Sequence, residues 1–121
     1  MTVRQGLERP PPQSNPIVSV PDQVRQTVET PGKAEPLVDY ELVLETCQVI
    51  ALPDNDALVW VGGAGVSGVA GFECGNPLDA GDVLRLPLNS EIRTGEQKQV
   101  ELHRWFVDAP TAGDGVTVVW D

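Results

Sequence analysis

Gly63, Gly65 and Gly68 stand at the spacing G-x-G-x-x-G directly behind the apolar run "ALVWV". That is the pattern by which a strand-to-helix turn cradles a pyrophosphate. The chemistry requires the last glycine to open a helix, because the free N–H groups of a helix N-terminus bind the anion. Here the chain continues "VAGFECGNPLDAGD", and Gly71, Gly75, Pro77 and Gly81 forbid a helix of useful length. About twenty positions on stand Arg85, Leu86 and Pro87, so no acid is placed to take a ribose hydroxyl. The glycines read instead as turn formers that permit φ > 0 and tight reversal. "VWVGG" turns, "GVSGVAGF" returns with Phe72 re-entering the core, and "NPLDAGD" turns again into the next strand.

Other groups with chemical potential are scattered. His103 is the only histidine, in "ELHRWF", and no nucleophile signature accompanies it. Asp54, Asn55 and Asp56, with Asp79, Asp82 and Asp114 in other turns, are oxygen donors of the kind calcium takes. Their spacing is not that of a D-x-[DN]-x-[DN]-G loop, and Asx residues in turns commonly cap backbone N–H groups. Paired carboxylates suited to glycoside hydrolysis arise by chance among 18 acids in 121 residues. Cys47 and Cys74 form no C-x-x-C pattern and read as two small, half-buried thiols, with a disulfide between them the open alternative. The residues therefore lead us to expect no catalytic site, no metal and no cofactor.

The net charge of -10 and pI of about 4.3 set the chain against polyanions such as nucleic acid or an acidic membrane surface. No apolar run approaches the ~20 residues of a membrane span, and "MTVRQGLERPPPQ" lacks the apolar core of a secretory signal. A reducing cytosol is the simplest address.

The elements that would position these residues fall into two regions. Seven of the eleven prolines precede Leu37: Pro10, Pro11, Pro12, Pro16, Pro21, Pro31 and Pro36. Proline removes backbone donors, and this stretch has few large apolar residues, so residues 1–36 read as an extended arm without a core of its own. At polyproline spacing such an arm reaches roughly 110 Å. "PIVSV" is a candidate strand within it, and "DQVRQTVET" a candidate for one or two helical turns capped by Asp22.

From Leu37 the pattern is β. Tyr40, Leu42 and Leu44 alternate with Glu41, Val43 and Glu45. "PDND" reads as a turn, "ALVWV" as a strand, and "DVLRLPL" as a strand with Leu84, Leu86 and Leu88 on one face and Pro87 marking an edge. "SEIRTGEQKQ" is a polar connection, "VELHRWFV" a strand, "PTAGDG" a turn and "GVTVVW" a final strand. The expected fold is all-β: a small antiparallel β-sandwich or barrel over residues 37–121, with an extended N-terminal arm. Trp60, Trp105, Phe106 and Trp120 are expected to supply much of the core, and so marginal a domain often gains stability by oligomerising.

"VWVGGAGVSGVAGFECGNPLDAGDVLRLPL" resembles a recurrent segment of tailed-phage virion proteins. In those, a V-[YFW]-V-G-G strand, a V-[ST]-x loop, a G-F-x-L step and an L-x-x-G-x-x-L strand follow in order. Val59, Trp60, Val61, Gly62, Gly63, Val66, Gly71, Phe72, Leu78, Gly81, Leu84 and Leu86 carry the match. Cys74 and Gly75 interrupt the step after the Gly-Phe pair. "WFVDAPTAGDGVTVVW" is similar to the closing hairpin of the same small β domains, found in head decoration (cement) proteins and fibre modules. The resemblance implies a structural virion protein rather than an enzyme. It would sit on the capsid exterior as a trimer at a local threefold, assembled in the host cytoplasm, with the major capsid protein as partner.

The arm would tie neighbouring subunits together through Pro10, Pro11, Pro12, Pro16, Ile17, Val18, Val20 and Pro21, with "PIVSV" adding a strand to a neighbour's sheet edge. A receptor- or glycan-binding module of a fibre or tail is the alternative. It would be favoured by Trp60 or Trp105 pointing outward.

Overall fold

The structure is a computed structural model, and it describes residues 22–88 and 99–120. Ten strands follow in order: β1 (Asp22–Thr27), β2 (Glu35–Pro36), β3 (Val43–Leu44), β4 (Cys47–Ala51), β5 (Val59–Gly62), β6 (Asn76–Leu78), β7 (Val83–Leu86), β8 (Val100–Glu101), β9 (Phe106–Asp108) and β10 (Gly115–Trp120). Two four-stranded antiparallel sheets form, in the orders β1-β10-β4-β7 and β2-β9-β5-β6, with a two-stranded ribbon of β3 and β8. The all-β expectation holds, and the arrangement is a sandwich rather than a closed barrel.

The core lies between the two sheets. Strand alternation sends Val49, Ala51, Val116 and Val118 inward from the first sheet and Val59, Val61 and Val107 inward from the second. Leu37, Leu86 and Leu102 fill the space around them. This core is aliphatic. Of the aromatics expected in it, Trp105 and Trp120 are half-buried and pack against its edge, while half-buried Trp60 and Phe106 stand outside it. Trp60 and Phe106 alternate out of phase with Val61 and Val107, so the pleat turns them to the outer face of their sheet.

The N-terminal boundary also moves. "DQVRQT" is no helical turn: it pairs along its whole length with β10, from Asp22 opposite Trp120 to Thr27 opposite Gly115. Without it the polar backbone of β10 would face water on one side, and a strand offers Val24 to the core where a capped turn would not. Val28 is fully buried, and Glu35 and Pro36 pair with β9. Residues 22–36 thus belong to the β domain, and any separate arm is confined to residues 1–21. The candidate strand "PIVSV" and most of the "SEIRTGEQKQ" connection fall outside the described residues.

"VELHRWFV" is not one strand. Val100 and Glu101 form β8, Leu102–Arg104 make a 3-10 turn, and β9 begins at Phe106. The turn lets Leu102 bury fully while its N–H donates to the Leu42 carbonyl at 2.9 Å. Tyr40 stays exposed, although Leu42 and Leu44 pack against the core as their alternation suggested.

Four connections gather at one end of the sandwich: residues 28–34, 52–58, 79–82 and 109–114. They are tied to one another by backbone bonds, including Val28 N–H to the Asp114 carbonyl at 2.8 Å and Gly81 N–H to the Ala51 carbonyl at 3.0 Å. The start of β1 and the end of β10 lie at the opposite end.

Candidate interaction site

The loop between β5 and β6, residues 63–75, folds back along the outer face of its own sheet. Two backbone bonds close its base: Ser67 N–H to the Cys74 carbonyl at 3.0 Å and Cys74 N–H to the Ser67 carbonyl at 2.9 Å. Asp108 anchors it from beneath. In the ladder Asp108 stands opposite Trp60, so both side chains project to the outer face, yet Asp108 has 0% exposure because the loop covers it. One carboxylate oxygen accepts the Gly68 N–H at 2.8 Å and the other accepts the Gly32 N–H at 3.0 Å. Burying a carboxylate is costly unless donors meet it, and these two backbone N–H groups do.

Gly68 is required by proximity. A Cβ there would stand 2.9 Å from Ala109 Cα and 2.9 Å from Trp60 Cδ1. Gly75 is required twice over, by a φ of +122° and by Val66 Cγ2 at 2.6 Å from its would-be Cβ. Gly63 and Gly65 face open space, and none of Gly63, Gly65 and Gly68 has positive φ. The three motif glycines are therefore not the left-handed turn residues expected, and the loop they open leads into strand β6 rather than a helix. Among the described residues the left-handed glycines are Gly32, Gly71, Gly75, Gly81 and Gly113.

The anchored loop holds an apolar tip in solvent. Phe72 is 75% exposed, which overturns its expected return to the core. Val66 and Leu78 take the buried positions on either side. The Phe72 N–H donates to the Val69 carbonyl at 2.9 Å, Val69 N–H to Ser67 Oγ at 3.2 Å, and Gly71 N–H to Glu73 Oε1 at 3.0 Å. The tip is thus shaped by its own hydrogen bonds before any partner arrives, which lowers the ordering cost of binding.

The remaining candidate groups act in the fold. Asp114, 4% exposed, accepts the N–H groups of Asp56 and Ala57 at 3.0 Å each. Asn55 holds Gly115 from both sides, donating to its carbonyl and accepting its N–H, each at 2.9 Å. Asp82 caps the Asp79 N–H at 2.9 Å. These turn residues cap backbone donors, as Asx residues do, and no group of three metal-ligating side chains occurs among the described residues.

His103 Nδ1 accepts the Leu42 N–H at 3.2 Å, and its Nε2 lies 3.9 Å from Glu101 Oε1, so the imidazole braces the 3-10 turn against the preceding segment. Arg104 Nε lies 3.0 Å from the same Glu101 oxygen. Both cysteines are free: Cys47 is buried and Cys74 exposed at the loop base, so neither is the half-buried thiol expected. Trp60, on the outer face of its sheet, is covered by the loop rather than presented to solvent.

The arm residues Pro10, Pro11, Pro12, Pro16, Ile17, Val18, Val20 and Pro21 lie outside the described residues. Sequence reasoning missed Asp108 and misplaced Phe72. An acid inside the otherwise apolar strand "WFVDA" was the available signal.

Fold and site together define a small β-sandwich with a preorganised surface loop. Comparison of the chain with protein-family models, characterised proteins and solved structures finds no match.

Proposed function

We propose that this chain is a structural virion protein, a capsid decoration or cement protein that bridges subunits of a phage head. The observation that carries the proposal is the Phe72 tip held in solvent by a loop that is fastened to buried Asp108. An exposed, preorganised aromatic is the kind of residue that dominates a protein–protein contact. The resemblance of roughly residues 40–121 to virion β domains supplies the setting. Residues 1–21, leading into the edge strand β1, supply a second attachment at a different place on the domain. Two separated attachments on one rigid body are what bridging requires, and each strengthens the other by raising its effective concentration. In this reading the partner is the major capsid protein, the assembly a trimer on the capsid exterior, and the role non-enzymatic.

The arm in this reading is shorter than the sequence suggested, with a reach of roughly 65 Å at polyproline spacing. The test deletes residues 1–21 and leaves β1 in place, since removal of 1–36 would strip a strand from each sheet. Purified protein is bound to heads that lack it. The deletion and Phe72→Ser are each expected to weaken binding at least tenfold with an unchanged melting temperature. Full binding by both variants would refute the bridging role.

A fibre or tail module that binds glycan is favoured by the same exposed Phe72 and by exposed Tyr40. Such a module would keep its sugar affinity after the deletion and lose it on Phe72→Ser.

A further inference from the structure

The first sheet has an outer face whose composition departs from the rest of the molecule. Because Val116 and Val118 point into the core, Thr117 and Val119 point out, and the ladder fixes what lies beside them. One cross-strand row reads Arg25, Thr117, Ile50, Val83, and the next reads Gln23, Val119, Gln48, Arg85. These eight side chains include two arginines, three β-branched apolar residues and no acid. The whole chain carries 18 acids against 8 lysines and arginines. Arg25 and Arg85 occupy opposite edge strands, across three strand spacings or about 14 Å. Gln23, Arg25, Val83 and Arg85 are exposed, and neither arginine has a salt-bridge partner among the described residues.

A protein of net charge -10 is repelled by an acidic surface in most orientations. With this face forward it is drawn in, because the two arginines then lead and no acid stands among the eight side chains. Once docked, Ile50, Val83 and Val119 offer a flat apolar centre and the arginines a charged rim, which is the usual anatomy of a protein interface. A second copy meeting it face to face does not suit it, since arginines would then stand against a face without acids. Residues 1–21 do not suit it either, since they carry Arg4 and Arg9 against the single acid Glu8.

We infer that the outer face of the β1-β10-β4-β7 sheet is the docking face for an acidic protein surface, which takes Arg25 and Arg85 at two carboxylate clusters flanking an apolar shelf. This rests on the virion reading, in which that surface is the outside of the shell. The sheet then lies on the shell while the Phe72 loop, on the other sheet, is left to reach a neighbour.

The test uses the full chain and heads lacking it. Arg25→Glu with Arg85→Glu is compared with Lys33→Glu with Arg104→Glu, a pair that changes net charge equally away from the face. The first pair is expected to weaken binding at least thirtyfold and to flatten its dependence on salt. The second should change it less than threefold, with both pairs folded by circular dichroism. Equal loss in the two pairs would reduce the effect to net charge and overturn the inference. So would a concentration-dependent dimer, seen by sedimentation, that only the first pair disrupts. If the unmodified chain does not bind heads, the virion reading itself fails and the inference goes with it. If that chain binds and the first pair binds as well, the reading stands and the docking face alone is wrong.

Discussion

The Gly68 N–H reaches a carboxylate oxygen of Asp108 at 2.8 Å, fully out of solvent and across forty residues of chain. The other oxygen takes the Gly32 N–H, so one strand side chain fastens two surface segments to the second sheet. Both bonds need an acceptor. Asp108→Asn keeps the shape but turns an NH2 group toward one of the two donors, leaving that N–H buried and unpaired. We expect a loss of about 1–3 kcal/mol. For a domain of this size each kcal/mol lowers the melting temperature by roughly 4–8 °C. Urea denaturation measures the loss, and amide exchange should show residues 67–74 losing protection before the core strands do.

The glycines of the 63–75 loop separate by what surrounds them rather than by motif. Gly63→Ala and Gly65→Ala meet open space at ordinary φ and should change stability by no more than about 0.5 kcal/mol. Gly68→Ala would drive a methyl group against the backbone of Ala109 and the Trp60 ring, costing about 1–3 kcal/mol. Gly115→Ala collides with the backbone of Gln26 and lies 2.6 Å from Thr27 Cα, so it should break the β1–β10 pairing near its start. Thermal melts of the four variants check the ranking. Equal losses at Gly63 and Gly68 would contradict the close-approach account.

What could be read from the sequence follows from how local each signal is. β4, β5, β7 and β10 are legible as strands because each is an alternating or continuous apolar run, and in β7 the alternation also states the buried face, Leu84 and Leu86. β1 was not, since "DQVRQT" has one apolar residue and an aspartate that also suits a helix cap; its partner lies some ninety residues away in β10. Phe72 reads as a core residue because aromatics usually bury. The loop is instead held through the backbone of Gly68, and no local pattern reports that. Asp108 owes its role to two N–H groups distant in sequence, one of them Gly32 in the proline-rich segment whose composition suggests an arm. The outer face of the first sheet emerges only when four strands are set in register.

Asn55 and Gly115 form a two-bond pair like that of adjacent strands, with the amide standing in for a peptide group. Asn55→Asp keeps the acceptor for the Gly115 N–H but sets a carboxylate oxygen against the Gly115 carbonyl, close to buried Asp114. Asn55→Ala removes both bonds. We expect each to destabilise the domain by about 1–3 kcal/mol, with Asn55→Asp no better than Asn55→Ala despite being the smaller change in shape. Chemical denaturation of the two variants side by side decides it. A clearly milder effect of Asn55→Asp would mean that the donated bond matters little.

Cys47 and Cys74 should differ sharply in reactivity. Burial pushes the Cys47 thiol from an ordinary value of 9.0 up to about 11, and its 4% exposure also bars a reagent from reaching it. Cys74 is exposed. At pH 8 an aromatic disulfide reagent should therefore titrate one thiol per chain in the folded state and two in denaturant, with Cys74→Ser abolishing the native signal. The same shift has a consequence for stability. The folded state holds the Cys47 proton more tightly than the unfolded state does. Its contribution is thus complete below about pH 9 and is lost as pH rises from there through about pH 11, amounting at most to roughly 2–3 kcal/mol. Cys47→Ala removes this titration at the cost of a smaller side chain, so its stability should fall less steeply over that interval than that of the unmodified chain. Parallel slopes for the two proteins between pH 9 and 11 would show that Cys47 is not the group responsible.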